Sequence, residues 1–170
     1  MTAYVALLRG VNLGKRQLKM ADLRRIADEL GLDDARTFIA SGNLLFRSSK
    51  GEAALKQALE AELAEHMGAP VGVMIRTAAE LAAVTKANAF ADQPGNRVVA
   101  FFLDDAPPKD AAGAAKNVAD ERLALGTREI YVHYPSGQGQ SKLAIPAAKT
   151  GTARNMNTVA KLAELAKEYG

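Results

Sequence analysis

The stretch "ARTFIASGNLLFR", residues 35–47, decides how the first half of the chain folds. Two apolar runs, Ala35–Ala40 and Leu44–Arg47, flank Ser41-Gly42-Asn43. Gly-Asn is a recognised hairpin turn pair, so the two runs read as consecutive strands joined by a tight turn. Towards the N-terminus, Met20, Leu23, Ile26, Ala27 and Leu30 recur at intervals of three and four. They predict a helix over Met20–Leu30 with Gly31 as its stop. Before it, "YVALLR" predicts a strand over Tyr4–Arg9. Towards the C-terminus, Leu55, Leu59 and Leu63 align on a helix from about Glu52 to Met67, with Gly68 after it. A strand follows over Val71–Thr77. The first 77 residues therefore read β-α-β-β-α-β, the order of a ferredoxin-like split βαβ unit.

Beyond it, Thr77 and Glu80 form a capping box that opens a third helix. Strands are expected over Arg97–Leu103 and Glu129–Tyr134. A weaker, Ala-rich helix interrupted by Gly113 is expected near Asp110 to Val118, and a closing helix from about Asn155 to Tyr169. The fold class is α+β with two lobes. Residues 1–77 form the ferredoxin-like lobe, and 78–170 form a second lobe, α-β-α-β plus a closing helix, packed on the first as one compact unit. No linker, low-complexity tract or strong internal repeat is visible.

The chain has 170 residues, no cysteine and a net charge of +3. Lack of cysteine removes disulfides, thiolate metal sites and a Cys nucleophile together. The N-terminus lacks a basic segment before its short apolar run, so neither a signal peptide nor a membrane span is expected, and the reading is a cytoplasmic protein. Charge is uneven. Residues 1–49 carry eight basic and five acidic residues, 50–126 eight and eleven, 127–161 five and one. A fold that joins the first and last thirds would have a cationic face.

Those thirds hold four polar segments. "RGVNLGKR" (9–16) departs from a P-loop, because Gly10 and Gly14 stand one residue too close and Lys15 is followed by Arg16 rather than by a hydroxyl. It retains Arg9, Asn12 and Lys15 beside two glycines. "SGN" supplies Ser41 and Asn43, although a turn alone explains it. "YPSGQGQSKL" (134–143) has half of a dinucleotide fingerprint in the wrong context, but Ser141 and Lys142 can offer a hydroxyl and an ammonium to an anion. "TGTARNMNT" (150–158) opens the last helix with Arg154, Asn155 and Asn157, more polar residues than a cap needs.

Taken together, "YVALLRGVNLGK", "MADLRRIADELGL", "RTFIASGNLLF", "GQGQSKL" and "TARNMNTVAKLAEL" resemble the family called domain of unknown function 1697, in order and over most of the chain. The resemblance implies an α/β fold with a ferredoxin-like first half and a mostly bacterial, cytoplasmic membership. It supplies no catalytic residues, since the family has no established activity. Its recurring polar positions match Arg9, Gly10, Asn12 and Gly14, then Ser41–Asn43, Gly137, Gly139, Ser141 and Lys142, and finally Thr152, Arg154, Asn155, Asn157 and Thr158. Members commonly carry tryptophan where Met156 stands and proline where Ala89 stands. The segment between Leu143 and Thr152 is also shortened here.

Catalytic equipment is sparse. His66 and His133 read as structural, no metal-ligand spacing occurs, and Ser141-Lys142 are adjacent residues that do not present their side chains to each other as a dyad. The sequence calls for no metal and no cofactor, and it leaves open whether any reaction is catalysed. The preferred reading is a site for a small phosphate- or carboxylate-bearing ligand, formed where the polar loops meet at the lobe junction. Its residues are Arg9, Asn12, Lys15, Ser41, Asn43, Ser141, Lys142, Arg154, Asn155 and Asn157. A nucleic-acid binder ranks below it, because nine aromatics in 170 residues provide no interleaved stacking platform. A protein-interaction module without catalysis is the other alternative. No membrane partner is expected, and the oligomeric state is open.

Overall fold

The structure is a computed structural model that describes residues 1–11, 17–38 and 42–169. Asn12, Lys15 and Ser41 lie outside the described residues. The elements run β1 (Thr2–Leu8), α1 (Met20–Glu29), β2 (Asp33–Thr37), β3 (Asn43–Ser48), α2 (Glu52–Met67), β4 (Val73–Thr77), α3 (Ala78–Lys86), β5 (Val98–Phe102), β6 (Arg122–Leu125), β7 (Glu129–His133), β8 (Thr152–Asn155) and α4 (Met156–Tyr169). The protein is thus α+β, with two four-stranded antiparallel sheets and four helices. No described helix is long and apolar enough to cross a membrane.

Contacts divide the chain into two units, Met1–Leu81 with Leu162–Gly170, and Ala82–Lys161. In the first, the order β2-β3-β1-β4 with the sequence β-α-β-β-α-β is the ferredoxin-like arrangement. Tyr4, Ala6, Leu8, Leu44, Phe46, Val73 and Ile75 share one core with Leu23, Ile26 and Ala27 of α1 and Leu55, Leu59 and Leu63 of α2. Each fully buried leucine contributes about 1.5–3 kcal/mol relative to exposure, so three on α2 hold that helix down. Gly31 and Gly68 follow their helices at φ +73° and +72°, the left-handed values that a C′ glycine supplies without strain. The edge strand β2 is blunted. Its register slips between Asp33 and Arg36, and the Asp34 carbonyl accepts the Tyr169 hydroxyl at 2.8 Å.

The second unit has the sheet order β6-β7-β5-β8, the same pattern four strands on. Each sheet has its first strand in the interior, a hairpin to one side and its last strand at the opposite edge. Each last strand carries a buried arginine opposite a small apolar residue, Arg76 opposite Val5 and Arg154 opposite Ala100. Each then runs into a helix through a capping side chain. Thr77 Oγ1 accepts from the Glu80 N–H at 3.1 Å, and the Glu80 carboxylate accepts from the Thr77 N–H at 2.9 Å. Asn155 Oδ1 accepts from the Thr158 N–H at 2.9 Å. What differs is the crossovers, which in the second unit are loops where the first has α1 and α2.

That difference revises the order expected inside the second lobe. The Ala-rich segment near Asp110–Val118 forms turns, not a helix. Pro107 and Pro108 precede it, Gly113 interrupts it, and only Ala111 is buried, so no apolar stripe offsets the entropy of ordering a helix. Two strands, β6 and β8, are additional to those expected. One face of this sheet buries Val99, Ile130, Val132 and Tyr134 under the loop residues Leu103, Ala111, Leu143 and Ile145. On the other face the Tyr131 hydroxyl donates to the Val84 carbonyl at 2.7 Å, tying α3 to β7.

Candidate functional site

The chain reaches β6 through two acidic residues, Asp120 and Glu121, and leaves β7 through the loop "YPSGQGQSKL". Antiparallel pairing puts the start of β6 beside the end of β7, with Arg122 opposite His133, so the acids and the loop meet. Backbone bonds fix the loop at both ends. The Tyr134 N–H donates to the Arg97 carbonyl at 2.8 Å, and Lys116 and Ala144 exchange bonds at 2.8 and 2.9 Å. Gly137, at φ +90°, makes the turn that any side chain would strain. Arg97 Nη1 donates to the Pro135 carbonyl at 2.7 Å.

Within this frame, hydroxyls meet carboxylates. The Ser141 hydroxyl donates to Glu121 Oε2 in a short hydrogen bond, and Ser141 Oγ accepts from the Leu143 N–H at 3.1 Å. The Ala119 N–H donates to Glu121 Oε1 at 2.7 Å. The Ser136 hydroxyl donates to Asp120 Oδ2 at 2.6 Å. The Ser141 hydroxyl, and then the backbone N–H groups of Ala119 and Glu121, hold the Glu121 carboxyl below its ordinary range. Glu121 is therefore a weak proton acceptor, and Ser141 gains little nucleophilicity from it. Tyr134 is pushed up to about 12, first by burial and then by the charge of Glu121, so it stays a phenol.

A cleft of about 550 Å³ opens between the two segments, lined by Asp120, Glu121, Ser136, Gln140, Ser141 and Lys142 among others. Lys142 is exposed, and its ammonium has no ion-pair partner among the described residues. A second cleft of about 490 Å³ is lined by Phe90, Asp92, Asp120, Arg122, His133 and Pro135 among others. The Phe90 and His133 rings lie 5.8 Å apart at 31°. Asp120 lines both clefts. No group of three or more metal-ligating side chains occurs among the described residues.

The remaining candidates stand elsewhere. Arg154 lies on β8, at the opposite edge of the same sheet, 8% exposed. It donates to Thr152 Oγ1 at 2.7 Å and to the Ala153 carbonyl at 2.8 Å, and burial pushes its pKa down to about 10. Asn155 is the α4 cap described above. Asn157 is exposed, with its side chain against Gly95, where an added Cβ would strike it. In the other unit, Arg9 is exposed and its N–H donates to the Gly72 carbonyl at 2.8 Å. Asn43 is fully buried, and its amide donates to the Phe38 carbonyl at 3.0 Å. The structure thus brings Ser141 and Lys142 into one cleft and keeps Arg154, Asn155 and Asn157 as a run at the far edge of that sheet. Asp120, Glu121, Phe90 and Arg122 were not legible as site residues, since two acids before a strand carry no motif.

The family described as "Protein of unknown function (DUF1697)" matches residues 1–131. A solved structure, that of the conserved bacterial protein SP0830 from Streptococcus pneumoniae, is similar with a TM-score of 0.82 and 28% identity over 98% of this chain and 99% of that one. No curated protein matches the chain. The family match ends before the loop that closes the first cleft, whereas the similarity to the streptococcal structure spans nearly the whole chain.

Proposed function

The chain belongs to the DUF1697 family of proteins of unknown function, and we propose that it binds a small ligand bearing a phosphate or carboxylate group in the cleft between Asp120–Glu121 and Ser136–Lys142. One observation carries the reading. An exposed ammonium, Lys142, lines the same cleft as two carboxylates that accept serine hydroxyls. Lys142 supplies a point charge for the anionic group. Asp120 keeps lone pairs that can accept from hydroxyls on the same ligand, so a hydroxylated anion suits the cleft better than a bare one. Ser141 acts as a positioning residue, holding the loop to Glu121. Arg154 and Asn155 hold β8 and the start of α4, and Asn43 holds the start of β3, through bonds to the backbone. The site binds; a depressed carboxyl and an unactivated serine give it little acid–base power.

The test is thermal stability in low salt with inorganic phosphate, citrate and ribose 5-phosphate. A ligand at a hundred times its Kd stabilises by about 2.7 kcal/mol, or roughly 5–10 °C for a chain of this size. The expected shift with ribose 5-phosphate disappears in Lys142→Ala. No shift with any probe, or a shift unchanged in that variant, refutes the reading. One observation favours a second reading, an interaction module. Strand β6 is a regular edge strand with Leu125 38% and Val118 49% exposed nearby. Self-association without affinity for any of the anions would favour it.

A further inference from the structure

Asp120 lines both clefts, and their chemistry differs. The first holds the Lys142 ammonium and the Glu121 carboxylate. The second has an aromatic wall, made where the half-buried Phe90 and His133 lean on one another at the outer end of β7. His133 stands in register with Arg122, whose planar guanidinium lines the same cleft. Aromatic and guanidinium planes are surfaces on which a flat heterocycle stacks. A carboxylate set between a stacking surface and a cation is placed to accept from vicinal hydroxyls. From this juxtaposition we infer that the ligand is a nucleoside monophosphate, with its base against Phe90 and His133, its ribose hydroxyls at Asp120 and its phosphate at Lys142. The inference rests on the anion-binding reading above and adds the base and the sugar to it.

The geometry also fixes what the ligand is not. Lys142 is the one ammonium among the described residues that line the cleft, which matches one phosphate, and Phe90 and His133, 5.8 Å apart, make one aromatic wall rather than a row of stacking sites. A longer strand of nucleotides would need several platforms and a continuous basic track. Here Asp92, Asp120 and Glu121 interrupt the charge.

Equilibrium titrations with adenosine 5′-monophosphate, uridine 5′-monophosphate, ribose 5-phosphate and a ten-nucleotide single strand test the inference, in the wild type and in Phe90→Ala, Asp120→Asn and Lys142→Ala. The monophosphates should bind about tenfold or more tightly than ribose 5-phosphate, the gain that one stacked base gives. Phe90→Ala should remove that gain and leave ribose 5-phosphate affinity unchanged, so a folding defect is distinguished from a lost platform. Lys142→Ala should weaken both, and Asp120→Asn should weaken both less. Equal affinity for the monophosphates and ribose 5-phosphate overturns the inference while leaving the anion site standing. Absence of binding by every probe overturns the anion site as well. A single strand that binds more tightly than the monophosphates, with steep salt dependence, overturns the inference in favour of nucleic acid.

Discussion

Replacing Gly151 by alanine should destabilise the second unit, and the cost can be worked from the backbone. Gly151 immediately precedes β8, whose first residue, Thr152, pairs with Phe102 of β5. A Cβ at position 151 would lie 2.5 Å from the Phe102 carbonyl oxygen and 2.8 Å from Leu103 Cδ2. The carbonyl belongs to an interior strand held by β7 and β8, so it cannot rotate away as a side chain could. Relief requires β8 to move outward and stretch its first bonds to β5. Overpacking of this kind costs about 1–3 kcal/mol, or roughly 2–4 °C of Tm per kcal/mol at this chain length. Gly139→Ala is the control, because nothing lies within 4 Å of its added Cβ and its φ is not positive. Urea and thermal unfolding of the two variants should show the Gly151 variant less stable and the Gly139 variant equal to or slightly above the wild type. Were Thr152–Asn155 only a helix cap, Gly151→Ala would cost little. Equal midpoints for both variants would therefore refute the pairing of β8 with β5.

The buried Asn43 amide ties the start of β3 to the Phe38 carbonyl, so Asn43→Asp should do more harm than Asn43→Ala. The alanine loses an amide–carbonyl hydrogen bond worth about 0.5–1.5 kcal/mol, whereas the aspartate sets a buried charge against the Phe38 carbonyl; equal denaturation midpoints for the two variants would show that the amide does not make this bond. The Glu121 carboxyl is depressed in the folded protein, so its contribution is present above its unfolded value of about 4.5 and is lost as pH falls through the lower folded value. Denaturant midpoints measured from pH 7 to pH 3 should show this acid limb flattened in Glu121→Gln and in Ser141→Ala, and identical limbs would refute the Ser141 latch. Burial raises Tyr131 and Tyr134 to about 12, so their contribution is intact below pH 10 and lost as pH rises towards 12. Ultraviolet titration should find at least two phenols ionising only with alkaline unfolding, and free ionisation of every phenol near pH 10 would contradict the burial of Tyr131 and Tyr134.

The first unit was legible because its signals are local. The spacing of Leu23, Ile26 and Ala27, the glycines at 31 and 68, and the reciprocal Thr77–Glu80 cap each carry their own physical reason, and each is in place. The second unit hid its strands. Arg122–Leu125 is four residues long and half exposed, so it shows little alternation. Thr152–Asn155 is built from residues that favour caps, and only its pairing with β5 makes it a strand. The same dependence on pairing conceals the candidate site. Ser141 and Lys142 stand out in the sequence, but Asp120 and Glu121 acquire meaning only when β6 and β7 bring them alongside, about twenty residues away in the chain.

The measurement that bears most directly on this account is an amide chemical-shift titration of the isotope-labelled protein with adenosine 5′-monophosphate. Saturable shifts are expected at Phe90–Gln93, Ala119–Arg122 and His133–Lys142, with ribose 5-phosphate moving only Asp120, Glu121 and Gln138–Lys142. Saturable shifts centred on other residues, or none at concentrations that saturate small-ligand sites, would contradict it.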